Sequence, residues 1–483
     1  MMRVTEIFRK HPVAMTLALW LLALRLVTAA WIPLTETTEA RYGEIARKML
    51  ETGNWAYLLN TYDSPFWAKP PLYAWLSAAS MWLFGVNEFG VRFPSIVLGL
   101  FTITVIYVTV KKHLPTETAW RSTWILATLG GFFVAMGTVM TDPSLIACVS
   151  LSLCSWWNFH QSGERRWGLL FFCGVGAGLL AKGPLAVVLI GLPIFFYLLI
   201  YGGWVAAITS LPWGWGSVLG FGLPAVWYAI AEFKTPGFLE YFVLGEHIYR
   251  FLKPGWAGDM FGNAHIEPRG MVWFYASLGL MPWTLLLLGY LAKAPRLFVA
   301  QLRSQRVLVF AGLWCLSHLV FFTLAANIIW PYFLPMAPAF AILCAGLITL
   351  SNKRFLQVAG TAVVFVSGLI IFAASMMMFQ DDEHLKSAKH IIARFHAEEK
   401  VPDNRLAYFS SRRIYSAEFY TQGKIRWAQN GAALEQLLEQ QAIDYILLSQ
   451  PEYGGLPEKV KRDFSVLPGY QPTPLELQLL KRR

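Results

Sequence analysis

Ionisable side chains recur in this sequence where long apolar runs end. In chain order they are Glu36, Glu39 and Arg41, then Lys69 in Trp67-Ala68-Lys69-Pro70-Pro71. Asp142 follows in Thr141-Asp142-Pro143, and Lys182 in Lys182-Gly183-Pro184. Glu246, His247, Arg250, Asp259 and His265 cluster further on, and Tyr332 opens a later apolar run in Trp330-Pro331-Tyr332. Charge beside lipid is costly, so such a group is paired, solvated or functional. Carboxylates beside cations suit a reaction in which a hydroxyl loses a proton and an anionic group departs. Each residue also has a plainer use. Asp142 before Pro143 could cap a helix, and Lys69, Lys182 and Arg250 could be interfacial anchors. Glu36 and Glu39 could form the solvated first turn of an amphipathic helix. His247 and His265 could be polar loop residues rather than metal ligands.

The elements that must position these groups follow from composition. Of 483 residues, 56% are hydrophobic, 15% aromatic and only 14% charged, against about 25% charged in soluble chains. That excludes a set of soluble domains and identifies an integral membrane protein. The formal charge of +11 is then loop charge facing anionic lipid, not a nucleic-acid footprint. A spanning helix needs about 20 mostly apolar residues. Eleven stretches qualify: 13–32, 92–110, 121–140, 144–160, 168–181, 184–202, 212–230, 270–291, 307–324, 331–350 and 355–377. With the N-terminus inside, the inner loops carry Lys111, Lys112 and Arg121, then Arg165 and Arg166. Lys293, Arg296, Arg303 and Arg306 follow, then Lys353 and Arg354, so that only the 203–211 inner loop lacks the basic residue the positive-inside rule asks for. The basic start, Met1 to His11, leads into a retained first span rather than a cleaved signal. Every candidate site residue then lies on the outer face, as a polar cavity at that face requires.

Two outer loops are long. The first, about 33–91, holds helical patterns at Glu39–Glu51 and Leu72–Phe84. Tyr42, Ile45 and Met49 share one face of the former, which places that helix along the membrane surface. The second, about 231–269, is rich in Gly, Pro and charge. The domain division expected is a transmembrane part over 1–379 and a soluble α/β unit over 380–483, on the outer side. In the latter, Arg405–Ser410, Lys424–Ala428 and Ile443–Ser449 read as strands, separated by helices at 384–399 and 431–441. The five cysteines fall in apolar runs without CxxC spacing, so neither disulfides nor a metal cluster is indicated. No P-loop is present.

The segment Thr38-Glu39-Ala40-Arg41-Tyr42-Gly43-Glu44-Ile45-Ala46 resembles the first-loop motif of lipid-carrier-dependent glycosyltransferases of the GT-C type. These include the bacterial lipid A aminoarabinose transferases and, more distantly, the protein O-mannosyltransferases. Lys69-Pro70-Pro71-Leu72, Asn87-Glu88-Phe89-Gly90-Val91-Arg92, Lys182-Gly183-Pro184, Glu246-His247-Ile248-Tyr249-Arg250-Phe251 and Pro331-Tyr332 keep the same order. The resemblance covers about 33–350. It implies a sugar donor on a polyprenyl (undecaprenyl-type) phosphate, bound at the outer face of a bacterial inner membrane. It also implies a lipid or protein acceptor. Glu39 matches the acidic first-loop motif and Asp142 an acidic position at the outer end of the third span. Lys69, Arg250 and Tyr332 match groups that hold the carrier phosphate, with Glu36, Arg41, Lys182, Glu246 and His247 as further substrate-binding candidates. Two departures stand out. Thr38-Glu39 replaces the family's Asp-Glu, and Ala68 stands where the aminoarabinose enzymes carry a Glu that helps bind zinc. A divalent metal is therefore left open, with His265 the one matching position near it.

The expectation is a multi-pass helical membrane protein that transfers a sugar from a polyprenyl-phosphate donor to an envelope acceptor such as lipid A, another glycolipid or a protein. Glu39 first, and Asp142 second, would take or orient the acceptor proton, while Lys69 and Arg250 steady the departing phosphate, with inversion as the family expectation. The rival reading is a transporter or flippase of a lipid-linked substrate. It calls for midplane charges, broken helices in matching positions and a two-fold repeat, and the sequence instead offers outer-face charges and no repeat.

Overall fold

The computed structural model describes residues 12–262, 265–351, 354–381, 384–440, 442–467 and 475–483. The basic Met1–His11 stretch therefore lies outside the described residues. Helices occupy every stretch expected to span. Among the described residues six helices are long and apolar enough to cross a membrane: Glu88–His113, Pro184–Tyr201, Trp213–Lys234, Arg306–Leu324, Trp330–Leu350 and Val358–Gln380. A seventh candidate, expected as one straight span over 270–291, is two helices, Met271–Gly279 and Trp283–Lys293, bent by 107°. Pro282 sits at the break, where it can donate no backbone hydrogen bond. Of the four remaining expected spans, 13–32 is an apolar helix counted only over Thr16–Trp31, shorter than a full span, and three have identifiable departures. The 121–140 stretch breaks at extended Leu129 into Thr116–Thr128 and Gly130–Ala135. Asp142–Ser162 carries a polar Asn158-Phe159-His160-Gln161 end, and Arg165–Lys182 holds three cations. Large apolar side chains such as Leu199, Phe233 and Leu369 are exposed around the spans, as lipid-facing surfaces require.

The chain forms two compact units. The first comprises Met1–Leu26, Trp55–Leu76 and Phe93–Ala373. Its core gathers side chains from helices between Glu88 and Leu356, with Trp156, Trp283 and Trp314 almost fully enclosed. Small residues let neighbouring backbones approach, the usual way helices associate in lipid. A Cβ on Gly174 would lie 2.3 Å from Ser152 Oγ and 2.9 Å from the Cys148 carbonyl oxygen, so Arg165–Lys182 packs on Asp142–Ser162 backbone to backbone.

The second unit comprises Val27–Asn54, Ser77–Arg92 and Ala374–Arg483. The composition change expected at 379–380 falls close to its last segment, and parts of the first long loop join that segment. Its sheet runs β1 Leu406–Phe409, β2 Arg426–Ala428, β3 Tyr445–Ser449, β4 Phe464–Val466 and β5 Leu477–Arg482, in the order β2-β1-β3-β5-β4. β1, β2 and β3 are parallel, and β5 pairs antiparallel with β3 and β4. Apolar clusters cover both faces, which is why β1 and β3 read as continuous apolar runs. The three expected strands and both expected helices are present, at Lys389–Glu399 and Gly431–Gln440.

One expectation is corrected. The helix Thr38–Thr52 does not lie with one face on a membrane surface. Its apolar Ile45 and Met49 and its charged Glu44, Arg47 and Lys48 are all buried. The charged face is accommodated because Arg47 pairs with Glu44 at 2.6 Å and Lys48 lies 3.3 Å from Glu44 and 3.7 Å from Glu418.

Candidate functional site

In the first unit, Asp142 opens and Lys182 closes a helical hairpin, Asp142–Ser162 and Arg165–Lys182, that reverses at left-handed Gly163 (φ 68°). The reversal returns Lys182 to the end where Asp142 starts. The positive helix start favours the carboxylate and the negative helix end favours the ammonium. Lys182 Nζ donates to Asp142 Oδ1 at 2.7 Å, and both side chains are less than a tenth exposed. Thr141 stands at the N-cap position and Asp142 is the first residue of the helix, so plain capping does not describe Asp142. Its Oδ2 has no hydrogen-bond partner among the described residues.

Glu246 and Arg250 are four residues apart and share one face of a helical segment, a wide π-type helix Glu240–Tyr249 continued by Arg250–Leu252. Sequence patterns read this stretch only as loop, because its Gly and charges hide the turn. Lys69 Nζ donates to Glu246 Oε2 at 3.0 Å, and Arg250 Nη1 donates to both Glu246 oxygens at 3.1 and 3.2 Å. Tyr241 donates to Glu246 Oε1 at 3.2 Å, and Asp259 lies 3.5 Å from Arg250. Burial alone would raise the Glu246 pKa, yet Lys69 and Arg250 pull it down to about 2. The two cations are thus gathered on one carboxylate. Arg250 Nε is enclosed and has no hydrogen-bond partner among the described residues.

Asn327, which no motif flagged, pins this segment. Its Nδ2 donates to the Arg250 and Lys253 carbonyls at 2.5 and 2.8 Å, and its Oδ1 accepts from Gly255 N–H at 3.0 Å. An amide inside the apolar Ala325-Ala326-Asn327-Ile328-Ile329 run was the available signal. Just beyond it, the Tyr332 ring centroid lies 5.7 Å from Lys182 Nζ. Against burial, which lowers it, the Arg250 pKa is raised by Tyr332, Glu246 and Asp259. His247 Nδ1 faces the Phe242 carbonyl at 2.7 Å and Nε2 faces the Lys182 carbonyl at 3.0 Å. Burial pushes its pKa below the usual imidazole range, so the neutral ring donates to one of the two. Lys69, Asp142, Lys182, Glu246, His247, Arg250 and Tyr332 are therefore linked in one unit.

Glu36, Glu39 and Arg41 belong to the second unit. Arg92, nearly fully buried, grips Glu39 with Nε on Oε1 at 3.0 Å and Nη2 on Oε2 at 2.7 Å. Arg92 also donates to the carbonyls of Ala29, Ile32 and Pro33, and Thr35 donates its N–H and hydroxyl to Glu39 Oε2. Both Glu39 oxygens are thus engaged, which suits an orienting charge better than a proton acceptor. Arg92 stood in a recognised motif without a role, since its fork-shaped contact needs the fold to form. Glu36 accepts from Ser416 N–H at 2.5 Å, and its other oxygen is enclosed without a hydrogen-bond partner among the described residues. Burial raises its pKa to about 7. Arg41 lies over the Tyr42 ring, 5.6 Å from its centroid.

A zinc centre does not fit. His265 is exposed in an extended stretch beside Asn327, and no three His, Cys, Asp or Glu side chains among the described residues gather to hold a metal.

A family model described as dolichyl-phosphate-mannose-protein mannosyltransferase matches residues 68–228. The undecaprenyl phosphate-alpha-4-amino-4-deoxy-L-arabinose arabinosyl transferase of Photorhabdus laumondii is 28% identical over 411 residues, 77% of this chain and 69% of the relative. The enzyme of the same name from Erwinia tasmaniensis is 29% identical over 338 residues, 66% of this chain and 55% of the relative. The fold matches ArnT from Cupriavidus metallidurans bound to undecaprenyl phosphate, with a TM-score of 0.75 at 17% identity, covering 97% of this chain and 98% of that one. An oligosaccharyltransferase from Archaeoglobus fulgidus matches with a TM-score of 0.53 at 10% identity, covering 91% of this chain and 70% of that one. Sequence likeness over most of the chain and fold likeness over nearly all of it show a membrane glycosyltransferase that is similar to the aminoarabinose transferases.

Proposed function

We propose that the protein transfers a sugar, of the aminoarabinose kind, from an undecaprenyl-phosphate-type carrier to an acceptor hydroxyl or phosphate in the bacterial envelope. Lipid A is the first candidate acceptor, ahead of other glycolipids and proteins. The observation that carries this reading is the gathering of Lys69 and Arg250 on Glu246, both cations being part-exposed. A carrier phosphate fits there, because a guanidinium and an ammonium together give charge-assisted, partly bidentate contacts. The named relatives are transferases, which favours transfer over the transport alternative.

In the proposed step an acceptor O–H gives its proton to Asp142 Oδ2, and the oxygen attacks the anomeric carbon. The bond from that carbon to the phosphate oxygen breaks, with its electron pair going to the phosphate. The phosphate gains one negative charge, which Lys69, Arg250 and the Tyr332 hydroxyl stabilise. Lys182 holds Asp142 in place, and inversion at carbon is expected from a single displacement. Glu39, clamped by Arg92, is the orienting carboxylate of the first-loop motif. The protein works in the inner membrane with its N-terminus cytoplasmic and residues 380–483 as a periplasmic domain.

The test is transfer of labelled sugar from polyprenyl-phosphate aminoarabinose to lipid A by the purified full-length protein. Transfer is expected, and Asp142→Asn should lower turnover ~10²-fold or more, the usual size of a general-base contribution. Movement of intact donor across vesicles without transfer would overturn the reading. Full turnover in Asp142→Asn would remove Asp142 from its role.

A further inference from the structure

Residues of the C-terminal segment reach the first-loop motif at four points, all inside the second unit. Lys389 Nζ donates to the Trp31 carbonyl at 3.2 Å and pairs with Glu88 at 2.7 Å. The Tyr420 hydroxyl accepts from Leu34 N–H at 2.8 Å and donates to Glu88 Oε1 at 3.0 Å. Ser416 N–H donates to Glu36, whose own N–H donates to the Lys386 carbonyl at 2.7 Å. Glu418 faces Lys48 at 3.7 Å while accepting from the Tyr408 hydroxyl at 2.6 Å and from Arg413 Nε at 2.9 Å.

These contacts bracket one feature. Trp31, Leu34 and Glu36 lead into Glu39, and Lys48 is on the Glu39 helix. Glu88 lies one helical turn before Arg92, on the same face of its helix. The Tyr420 hydroxyl therefore ties together the two chain segments that meet in the Glu39–Arg92 pair. It donates and accepts at once, which phenylalanine cannot do. Apolar contact alone could hold the segments, since Phe419 already packs against the helix at Gly43. Enclosed polar contacts add little net stability but select one geometry.

We infer that Tyr420 is a positioning residue for transfer, with Glu418 of the same helix acting beside it through Lys48: through Leu34 and Glu88 Tyr420 fixes the Glu39–Arg92 pair of the first-loop motif. The inference rests on the proposed function. It gives the C-terminal segment a part in the reaction, acting through Glu39 rather than on substrate.

The experiment is steady-state transfer by the full-length protein as parent, Tyr420→Phe, Glu39→Gln and the double variant. Tyr420→Phe should lower kcat by about 10- to 10²-fold, the cost of an ångström-scale misplacement, and leave KM for donor within about twofold. In the Glu39→Gln background Tyr420→Phe should cost nothing further, because the group it positions is gone. Losses that multiply or an unchanged kcat in Tyr420→Phe overturn the inference alone, and a silent Glu39→Gln overturns it together with the orienting role given to Glu39. An inactive parent overturns the proposed function and this inference with it. Glu418→Gln, close in size and shape, goes through the same cycle, so that a misfolded Tyr420→Phe leaves the question decidable.

Discussion

Replacing Glu246 by glutamine removes the single charge on which Lys69 and Arg250 converge and keeps the side chain's size. The depression of its pKa from 4.5 to about 2 reflects surroundings in which Lys69 and Arg250 favour the ionised form more than burial opposes it. At 1.36 kcal/mol per pKa unit that is about 3 kcal/mol, an upper bound for what the neutral amide forfeits. A lowered carboxylate pKa contributes stability above 4.5 and loses it only as pH falls through about 2. The full penalty is therefore expected throughout pH 5–8. An anion bound between the cations would replace the missing charge, whereas in the parent it competes with Glu246. Thermal unfolding in detergent, with and without undecaprenyl phosphate, reads both effects. Glu246→Gln should unfold at lower temperature without ligand and show a larger upward shift of Tm with it. An equal or smaller ligand-induced shift would refute the argument, because it would mean that the freed cations do not serve a phosphate.

Glu36 has the opposite sign. Its pKa is raised to about 7 by burial, so folding takes up a proton between pH 4.5 and 7 and stability falls as pH rises through that window. Glu36→Gln should leave Tm unchanged near pH 4.5 and raise it at pH 8, by up to about 3 kcal/mol of stability; a variant that is no more stable at pH 8 would show that the charge is solvated. Gly174→Ala places a Cβ 2.3 Å from Ser152 Oγ and should cost roughly 1–3 kcal/mol by overpacking the Asp142–Lys182 hairpin. Gly174→Ala with unchanged Tm and unchanged transfer would show that the two helices can part without cost.

The sequence exposed the parts of this protein whose signals are local. Apolar length marked the helices, and short continuous apolar runs marked β1 and β3. The helix Leu72–Phe84 was bounded to the residue, because Pro70-Pro71 and Gly85 punctuate it. Charge at span ends marked Lys69, Asp142, Lys182, Glu246 and Arg250, since an ionisable group beside lipid needs a reason. Pairing was not local, and it decided the roles. Glu39 and Arg92 are 53 positions apart, and only the fold shows that the guanidinium takes both oxygens of the residue first expected to be the base. The same gap misled the reading of Thr38–Thr52 as a surface helix. An apolar stripe with charges opposite is the signature of an interfacial helix, but it is equally the pattern of one whose charges meet partners elsewhere in the chain, here Glu418. Amphipathicity reports that two environments exist and does not say that one of them is water. For this protein the polar environment of that helix is made by pairs within the helix itself and by Glu418 of the C-terminal segment, the same segment whose Tyr420 hydroxyl accepts from Leu34 N–H nearly four hundred residues earlier in the chain.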